Sequence, residues 1–409
     1  MKKKYTAMDK IKAIGPGAMI TASFIGPGTI TTATRAGTDF GYALIWVVIF
    51  SVIATIVLHE MVSRLGVVTQ DGLGEAILKE FDSLKFKKIS AYLIGGSIFI
   101  GCASYISGDL IGTSLGLSTI VGISPNYIAP FIGIIVLFLV YKGSMKLLEK
   151  ILTFLVGVMA FVFVTTMIVA NPNWTEISKG IVPNFPKDSI LVIISLIGTT
   201  VVPYNFFIHA AAARDTWKDP DEIELSKWDT YISITVGGII TTAVVITSAT
   251  LMKGFVIKSA ADISVQLEPL LGNWAKIFMG IGLFSAGLSS AIASPLGASY
   301  TLAGLFGWKY SNDDKRFKTV NIVIVIIGII VNTFKLDPIQ ILLVAQALNG
   351  IILPLVTIYV VYITSSKRQM GTYKNSTSQI CFGIIVSLIS TYLGMYALYS
   401  AIVKILSML

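Results

Sequence analysis

The stretch SFIGPGTITT, residues 23–32, interrupts an apolar segment that is otherwise long enough to cross a lipid bilayer as a helix. Pro27 has no N–H group and pushes Gly26 away from helical angles, while Gly26 and Gly28 permit angles that other residues avoid. The stretch GTTVVPYN, residues 198–205, repeats this pattern of glycine, hydroxyls and proline in a later apolar segment. Backbone groups released by such breaks must find a partner, because lipid offers none.

The composition is that of an integral membrane protein. Of the 409 residues, 54% are hydrophobic and only 13% are charged, whereas soluble domains have roughly 25% charged residues. Disorder is excluded, since it needs low hydrophobicity and high charge density. The net charge of +9 could suggest a nucleic-acid partner, but the basic residues are spread between apolar segments and do not form one soluble basic face. Cys102 and Cys381 lie in apolar runs and cannot form a disulfide framework.

Eleven apolar segments predict eleven transmembrane helices, since roughly 20 residues are needed to cross a bilayer. The predicted spans lie near residues 15–35, 41–62, 90–118, 127–141, 148–170, 188–212, 231–252, 274–306, 319–334, 339–363 and 379–403. Most of the 31 Lys and Arg residues fall in connecting segments on one side. The positive-inside rule then predicts a plasma-membrane protein with a cytoplasmic N-terminus and an extracellular C-terminus.

The two breaks fall in the first and sixth predicted spans, at corresponding places of two five-span halves. A single proline break would be an ordinary kink, but the pair indicates inverted repeats with a substrate site near the middle of the membrane. Residues 1–409 are therefore predicted to form one transporter domain, with repeat one at about 13–170, repeat two at about 188–363 and an extra helix at about 379–403. Unwound carbonyl groups at the breaks would suit a cation.

Several stretches resemble the Nramp family of divalent-metal transporters. They are GPG at 15–17, FGYAL at 40–44, SRLGVVT at 63–69, GIVP at 180–183, PYN at 203–205 with His209, RDT at 214–216, AGLSS at 286–290, and Gln346 with LP at 353–354. The resemblance implies an all-α integral membrane protein with the LeuT-type fold, which has two five-helix inverted repeats, broken helices 1 and 6, and here an eleventh helix.

The departures from the family's motifs concern the metal ligands. The family's first-span motif is Asp-Pro-Gly-Asn, whose Asp and Asn side chains bind the metal, but residues 26–29 read GPGT. Its sixth-span motif is Met-Pro-His, but residues 202–204 read VPY. In the third span, Ile106 and Asp109 align with the family's Asp and with the Glu three residues later. The chain has thus lost a carboxylate and a soft thioether ligand.

This pattern is similar to the Nramp-related magnesium transporter branch. Thioethers suit soft or borderline metals, whereas hydroxyls, carbonyls and water suit Mg²⁺ and other hard ions. Mg²⁺ also keeps several of its waters in most protein sites. We therefore expect uptake of Mg²⁺, with Mn²⁺ as a secondary substrate.

Asp109 is the candidate that would attract or relay the cation, since acidic residues inside a membrane span are by default functional. Thr29 is expected to face the ion directly or through water, and the carbonyls of Gly26 and Thr199 are candidate ligands. Each has a structural alternative, because Asp109 could pair with hydroxyls of a neighbouring helix, Thr29 could satisfy nearby backbone, and Gly26 and Thr199 could be hinges. The full predicted site is Gly26, Thr29, Asp109, Thr199, Val202, Asn205 and Gln346.

Other polar residues have structural interpretations. The Asn205 amide either lines the site or stitches the unwound turn, and Gln346 either lines it or makes an ordinary interhelical hydrogen bond. Tyr204 is expected to fill the volume of the family's histidine. His209 is expected to be a satisfied buried imidazole, and the acid of the pair at residues 59–60 is expected to bind Arg64.

Proton coupling in the family uses titratable groups at positions held here by Gly26, Ile106 and Tyr204. The resemblance therefore implies uncoupled transport, driven by the gradient and by the membrane potential, which contributes roughly 4.6 kcal/mol per 100 mV for a doubly charged ion. The alternatives are a proton-coupled Mn²⁺/Fe²⁺ symporter of the same family and an amino-acid carrier of the same fold. We expect no enzyme activity, because the Gly-Pro-Gly triplets lack the context of a phosphate loop. We also expect no cofactor, no nucleic-acid partner and no obligate protein partner.

Overall fold

The computed structural model describes residues 5–142, 145–255, 257, 262, 268, 272–334 and 338–406, and over these residues the chain forms helices and no β-strand. The α-helices are α1 Ala7–Lys12, α2 Pro16–Phe24, α3 Pro27–Phe40, α4 Ile45–Thr69, α5 Leu73–Glu80, α6 Leu84–Val121, α7 Pro125–Lys142, α8 Met145–Val169, α9 Trp174–Gly180, α10 Ile190–Thr200, α11 Pro203–Thr216, α12 Ile223–Leu251, α13 Ala275–Phe306, α14 Lys315–Thr333, α15 Pro338–Ser365, α16 Lys367–Met370 and α17 Thr377–Leu406.

The long helices match the predicted spans one by one. The first span consists of α2 and α3, the sixth of α10 and α11, and the other nine are α4, α6, α7, α8, α12, α13, α14, α15 and α17. By length and apolarity alone, eight stretches of the described residues could cross a membrane. The protein is membrane-embedded. The predicted third span lies within α6, which has 38 residues and at about 1.5 Å per residue extends well beyond the hydrocarbon core.

Both broken spans are interrupted in the same way. Helix α2 ends before Ile25 (φ −81°, ψ 76°) and α3 begins with Pro27. Helix α10 ends before Val201 (φ −94°, ψ 83°) and α11 begins with Pro203. Proline is favoured at the first helical position because its missing N–H would be unpaired there anyway. The near-equal backbone angles show that the two breaks are equivalent elements of the two halves.

Two long helices, α6 and α13, pack tightly against the breaks through small residues. A Cβ atom on Gly112 of α6 would lie 2.2 Å from Cβ of Pro27, and one on Gly297 of α13 would lie 2.3 Å from the ring of Tyr204. Glycines let membrane helices approach closely in this way. Helices α6 and α13 are therefore the scaffold against which both breaks are held.

A buried ion pair ties α4 to the chain that leads into the last helix. Arg64 Nε lies 3.1 Å from Glu60 Oε1, and both side chains are less than a tenth exposed. Arg64 also donates to Asn375 Oδ1 at 2.8 Å and to the Tyr373 carbonyl, while Gln379 Nε2 donates to Glu60 Oε2 at 2.8 Å. The predicted pairing of Glu60 with Arg64 is confirmed, and it belongs to a larger network.

Replacement of Arg64 by alanine should destabilise the protein by about 3 kcal/mol, because it leaves a buried carboxylate without its cation. Thermal unfolding in detergent, followed by intrinsic fluorescence, measures the change. Lys179→Ala is the matched control, since the Lys179–Glu176 pair is exposed and such pairs contribute little. Equal unfolding temperatures for the two variants would contradict this account.

Candidate metal site

The two breaks face each other through pairs of polar side chains. Thr29 Oγ1 of α3 lies 2.6 Å from Thr199 Oγ1 of α10, and Ser23 Oγ of α2 donates to Asn205 Oδ1 of α11 at 2.7 Å. All four residues are at most 2% exposed. Elements about 180 residues apart in the sequence thus form one buried polar centre.

The breaks leave backbone carbonyls without their helical partners. The carbonyl of Ser23 would normally accept from the N–H of residue 27, and that of Thr199 from residue 203, but both are prolines. Ser290 Oγ of α13 donates to the Ser23 carbonyl at 2.6 Å. No described residue has an equivalent hydrogen bond to the Thr199 carbonyl. The Thr199 carbonyl therefore has a free acceptor position among the described residues, and its role as a cation ligand stays a prediction.

Thr29 makes a second hydrogen bond, which determines which hydroxyl donates in the Thr29–Thr199 pair. Its Oγ1 donates to the Phe24 carbonyl at 2.5 Å. A hydroxyl has one proton, so the hydrogen bond between Thr29 and Thr199 is donated by Thr199. In this closed conformation the hydroxyl of Thr29 satisfies nearby backbone, which is the structural alternative considered for it.

Asp109 of α6 supplies a carboxylate at the first break. It is 3% exposed, and its Oδ2 accepts from Ser294 Oγ of α13 at 2.8 Å. Its Oδ1 lies only 3.5 Å from the position that a Cβ atom on Gly26 would take. A side chain at position 26 would also lie 2.7 Å from Ser290 Oγ, so that this hydroxyl would have to move before an acidic group could occupy the space next to Asp109. Asp109 is thus the carboxylate that lies at the first break.

Tyr204 joins the two sides of this centre. Its Oη lies 3.2 Å from Ser23 Oγ and 3.4 Å from Ser294 Oγ. Its ring packs edge-on against Tyr105, with 5.7 Å between the ring centres. Polar contacts thus link Asp109, Ser294, Tyr204, Ser23 and Asn205, but the single Tyr204 proton can be donated to only one of the two serines while these donate to Asp109 and Asn205.

At two of the predicted site positions, Gly26 and Val202, the backbone carbonyl accepts a hydrogen bond at the start of a helix. The Gly26 carbonyl accepts the N–H of Ile30 at 3.1 Å, which is the first hydrogen bond of α3. The Val202 carbonyl accepts the N–H of Asn205 at 3.1 Å in α11. Both positions are extended, and both begin a helix. Their backbone oxygens are thus less available than that of Thr199.

The Asn205 side chain uses only one of its two polar groups in the hydrogen bonds of the described residues. Its Nδ2 is buried without a hydrogen-bond partner among the described residues. The oxygen and nitrogen of an amide are assigned from their surroundings, and rotation of this amide by 180° would let Nδ2 donate to Ser23 Oγ and present Oδ1 instead. Asn205 can therefore offer an oxygen to an ion. The side chain of Gln346, also predicted to line the site, lies outside the described residues.

Sequence reasoning did not identify the hydroxyls of Ser23, Ser290 and Ser294. Ser290 and Ser294 lie four residues apart, and thus on the same face of α13, where they contact the Ser23 carbonyl and Asp109. That spacing was a usable signal in the sequence. Their partners could not be inferred from it, because the contacts depend on how α13 packs against α2 and α6.

The two histidines form a separate pair between α4 and α11. Nδ1 of His59 lies 3.0 Å from Nδ1 of His209, and both side chains are fully buried. His209 is thus buried as predicted but is only partly satisfied, since its Nε2 has no hydrogen-bond partner among the described residues. Over the described ranges of the chain, no three His, Cys, Asp or Glu side chains are grouped so that they could hold a metal. A cation at the breaks would therefore be bound by one carboxylate together with neutral oxygens and water.

Two broken membrane helices that meet at a buried polar centre define a secondary transporter of the LeuT type. The family model described as "Nramp: Natural resistance-associated macrophage protein-like" matches residues 17–400. The chain belongs to the Nramp family.

Two bacterial proteins named as divalent metal cation transporters are similar to nearly the whole chain. The chain is 26% identical over 389 residues to a divalent metal cation transporter MntH of Caldanaerobacter subterraneus subsp. tengcongensis, a match that covers 92% of this chain and 90% of the relative. It is 25% identical over 403 residues to the MntH of Yersinia pestis (strain Pestoides F), with 96% and 95% covered.

The fold is shared with two solved transporters. The manganese transporter of Eremococcus coleocola superposes with a TM-score of 0.81 at 20% identity, covering 97% of this chain and 88% of that one. MhsT in complex with L-phenylalanine superposes with a TM-score of 0.58 at 16% identity, covering 98% and 100%. These structures confirm the LeuT-type fold with its two inverted repeats and broken helices.

Ser294→Ala should weaken metal uptake, because it removes the hydroxyl that orients Asp109. We expect the metal concentration at half-maximal uptake to rise about tenfold, or about 1.4 kcal/mol, at the lower end for a hydrogen bond to a charged group. Ser299→Ala is the matched control on the same helix, since Ser299 bonds to Phe317 and Asn321 away from the site. Similar uptake curves for the two variants would show that Ser294 does not position Asp109.

Proposed function

We propose that this protein moves a divalent metal cation into the cell by alternating access, with Mg²⁺ as the preferred ion and Mn²⁺ as a secondary substrate. The observation that carries the proposal is the donor set around the breaks. It consists of the Asp109 carboxylate, the hydroxyls of Ser23, Thr29 and Thr199, and the Thr199 carbonyl. All of these are oxygens, which are the ligands of hard cations.

The side chain at position 202 supports the same choice of ion. Val202 is fully buried, so an aliphatic group stands where the family motif has a thioether. A thioether favours soft or borderline metals, and its absence removes the ligand that would select Mn²⁺ or Fe²⁺ over Mg²⁺. Because one carboxylate only half-neutralises a doubly charged ion, we expect the ion to keep several waters.

The second candidate is a proton-coupled Mn²⁺/Fe²⁺ symporter. The names of the relatives, two divalent metal cation transporters and a manganese transporter, support this candidate better than they support Mg²⁺. These relatives are only about a quarter identical to this chain. The chain departs from the family motif at the positions expected to bind the metal. The amino-acid carrier has less support, because MhsT shares only the fold.

The surroundings of the family's proton-relay positions support uncoupled transport. Ile106 is fully buried on α6, and a Cβ atom on Gly328 of α14 would lie 3.0 Å from its side chain. An apolar contact thus replaces a titratable group there. Tyr204 takes the place of a histidine and serves in a chain of neutral hydroxyls. The membrane potential alone would then draw the ion inward.

The distribution of charge supports a plasma-membrane protein with a cytoplasmic N-terminus. Lys10 and Lys12 precede the first span. Further basic residues lie near the end of α4 at 64, on α5 at 79, and at the start of α6 at 85, 87 and 88. Such an excess is typical of cytoplasmic segments. With eleven spans the C-terminus then lies outside.

Metal flux into proteoliposomes tests the choice of ion and the coupling together. With Mg²⁺, Mn²⁺ and Ca²⁺ in competition and the internal pH recorded, we expect Mg²⁺ to enter, to compete with Mn²⁺, and to leave the internal pH unchanged. Protein-free liposomes are the control for leak. If Mg²⁺ neither moves nor blocks Mn²⁺, the magnesium assignment is wrong. If acidification tracks the metal flux, transport is proton-coupled.

A carboxylate exchange tests the role of Asp109. Asp109→Ala should abolish uptake, and adding Gly26→Asp should recover part of it, because a carboxyl group at position 26 would lie next to position 109 once the Ser290 hydroxyl has moved. Further addition of Val202→Met should shift the preference toward Mn²⁺. Asp39→Asn is the control, since this acid pairs with Arg35 at the surface. Full uptake by Asp109→Ala would contradict the proposed role of this residue.

A further inference from the structure

The segment Gly15-Pro16-Gly17 has a structural role that the metal site does not explain. Asp229 of α12 accepts the Gly15 N–H on Oδ1 at 3.0 Å and the Gly17 N–H on Oδ2 at 2.6 Å. These N–H groups belong to the N-terminus of α2, which has no partner for them within the helix. One carboxylate on a neighbouring span thus caps the first half of the broken first span.

Gly15 and Gly17 have no side chains, which allows the Asp229 carboxylate to approach their N–H groups. A Cβ atom on Gly17 would lie 2.8 Å from the Asp229 carbonyl oxygen and 2.9 Å from its Oδ2. Asp229 is fully buried, and Ser233 Oγ also donates to its Oδ1 at 3.3 Å. The carboxylate is therefore set firmly in α12, and any residue larger than glycine at position 17 would push it away.

The two hydrogen bonds from the Gly15 and Gly17 N–H groups to Asp229 are expected to be strong. Hydrogen bonds that involve an ionised group are roughly twice as strong as neutral ones, and a negative charge at a helix N-terminus is further stabilised by the helix dipole. Nearby, Lys10 Nζ lies 2.9 Å from Glu224 Oε1 and 4.5 Å from the centre of the Trp228 ring. The chain that precedes α2 is thus also attached to α12.

Helix α2 is joined to the rest of its span only by the non-helical residues Ile25 and Gly26. It lies against α12 along its whole length, since a Cβ atom on Gly237 would come within 2.4 Å of the Phe24 ring. Ser23 of α2 belongs to the polar centre, whose residues are at most 2% exposed. Movement of α2 about the break at residues 25–26 would therefore expose that centre.

We propose that Asp229 is a latch that holds α2 against α12 in this closed conformation, so that its two hydrogen bonds set how often the central site opens to the cytoplasm. The latch is independent of which metal is carried. It uses the cytoplasmic placement of the N-terminus proposed above. Opening would separate the carboxylate from the Gly15 and Gly17 N–H groups and let water take both places.

Cysteine labelling tests the latch without any need for metal. In a Cys102→Ala, Cys381→Ser background, a Thr21→Cys reporter on α2 replaces a residue that is 1% exposed. A membrane-impermeant thiol reagent is applied to the cytoplasmic side of inverted vesicles. We expect Asp229→Asn and Gly17→Ala each to raise the labelling rate about tenfold, which corresponds to about 1.4 kcal/mol.

Two controls separate opening of α2 from general loosening. Gly96→Ala is a matched glycine substitution, since a Cβ atom on Gly96 would meet nothing within 4 Å, and it should leave the labelling rate unchanged. A Ser51→Cys reporter, fully buried in α4, should stay unlabelled in every variant. The proposal is overturned if both latch variants label Thr21→Cys at the parental rate, or if Ser51→Cys becomes reactive together with it.

Discussion

The structure depends on two prolines placed in the interior of the membrane. Pro27 and Pro203 each take a hydrogen-bond donor away from a carbonyl one turn earlier, and an unpaired polar group in hydrocarbon costs several kcal/mol. The protein meets this cost on one side with serines of α13, which donate to the carbonyls of Ala22 and Ser23. On the other side the Thr199 carbonyl has no such donor among the residues that the structure describes. Under the proposed function, a cation between the two breaks would be the partner of that oxygen.

The position of the remaining carboxylate bears on which part of the protein would hold an ion. The resemblance implies family acids in both the first and the third span, and of these positions only Asp109 of α6 is acidic here, where Ser294 of α13 donates to it. Under the proposed function, the strongest attraction for the ion would therefore lie on the two scaffold helices and not on a half-helix. This arrangement is compatible with a weakly held, partly hydrated ion that leaves as soon as the neutral oxygens separate.

Local patterns predicted much of this architecture. Proline and glycine within apolar runs located both breaks, and the four-residue spacing of Glu60 and Arg64 predicted their ion pair. For Gly26 the ion-ligand role stays a prediction, and its carbonyl also accepts the first hydrogen bond of α3. Contacts such as Ser294 with Asp109 and Asp229 with Gly17 join residues about 185 and 212 positions apart. They follow from helix packing, which periodicity and motifs do not specify.

The central claim is that Asp109 is the charged ligand of a hard-metal site. Calorimetric titration of the purified protein with Mg²⁺, in parallel with its Asp109→Asn variant, tests this most directly because it measures binding without transport or coupling. The account predicts that Mg²⁺ binds to the parent protein and that binding is lost in Asp109→Asn, while the variant keeps its unfolding temperature. Unchanged Mg²⁺ binding by Asp109→Asn would contradict it.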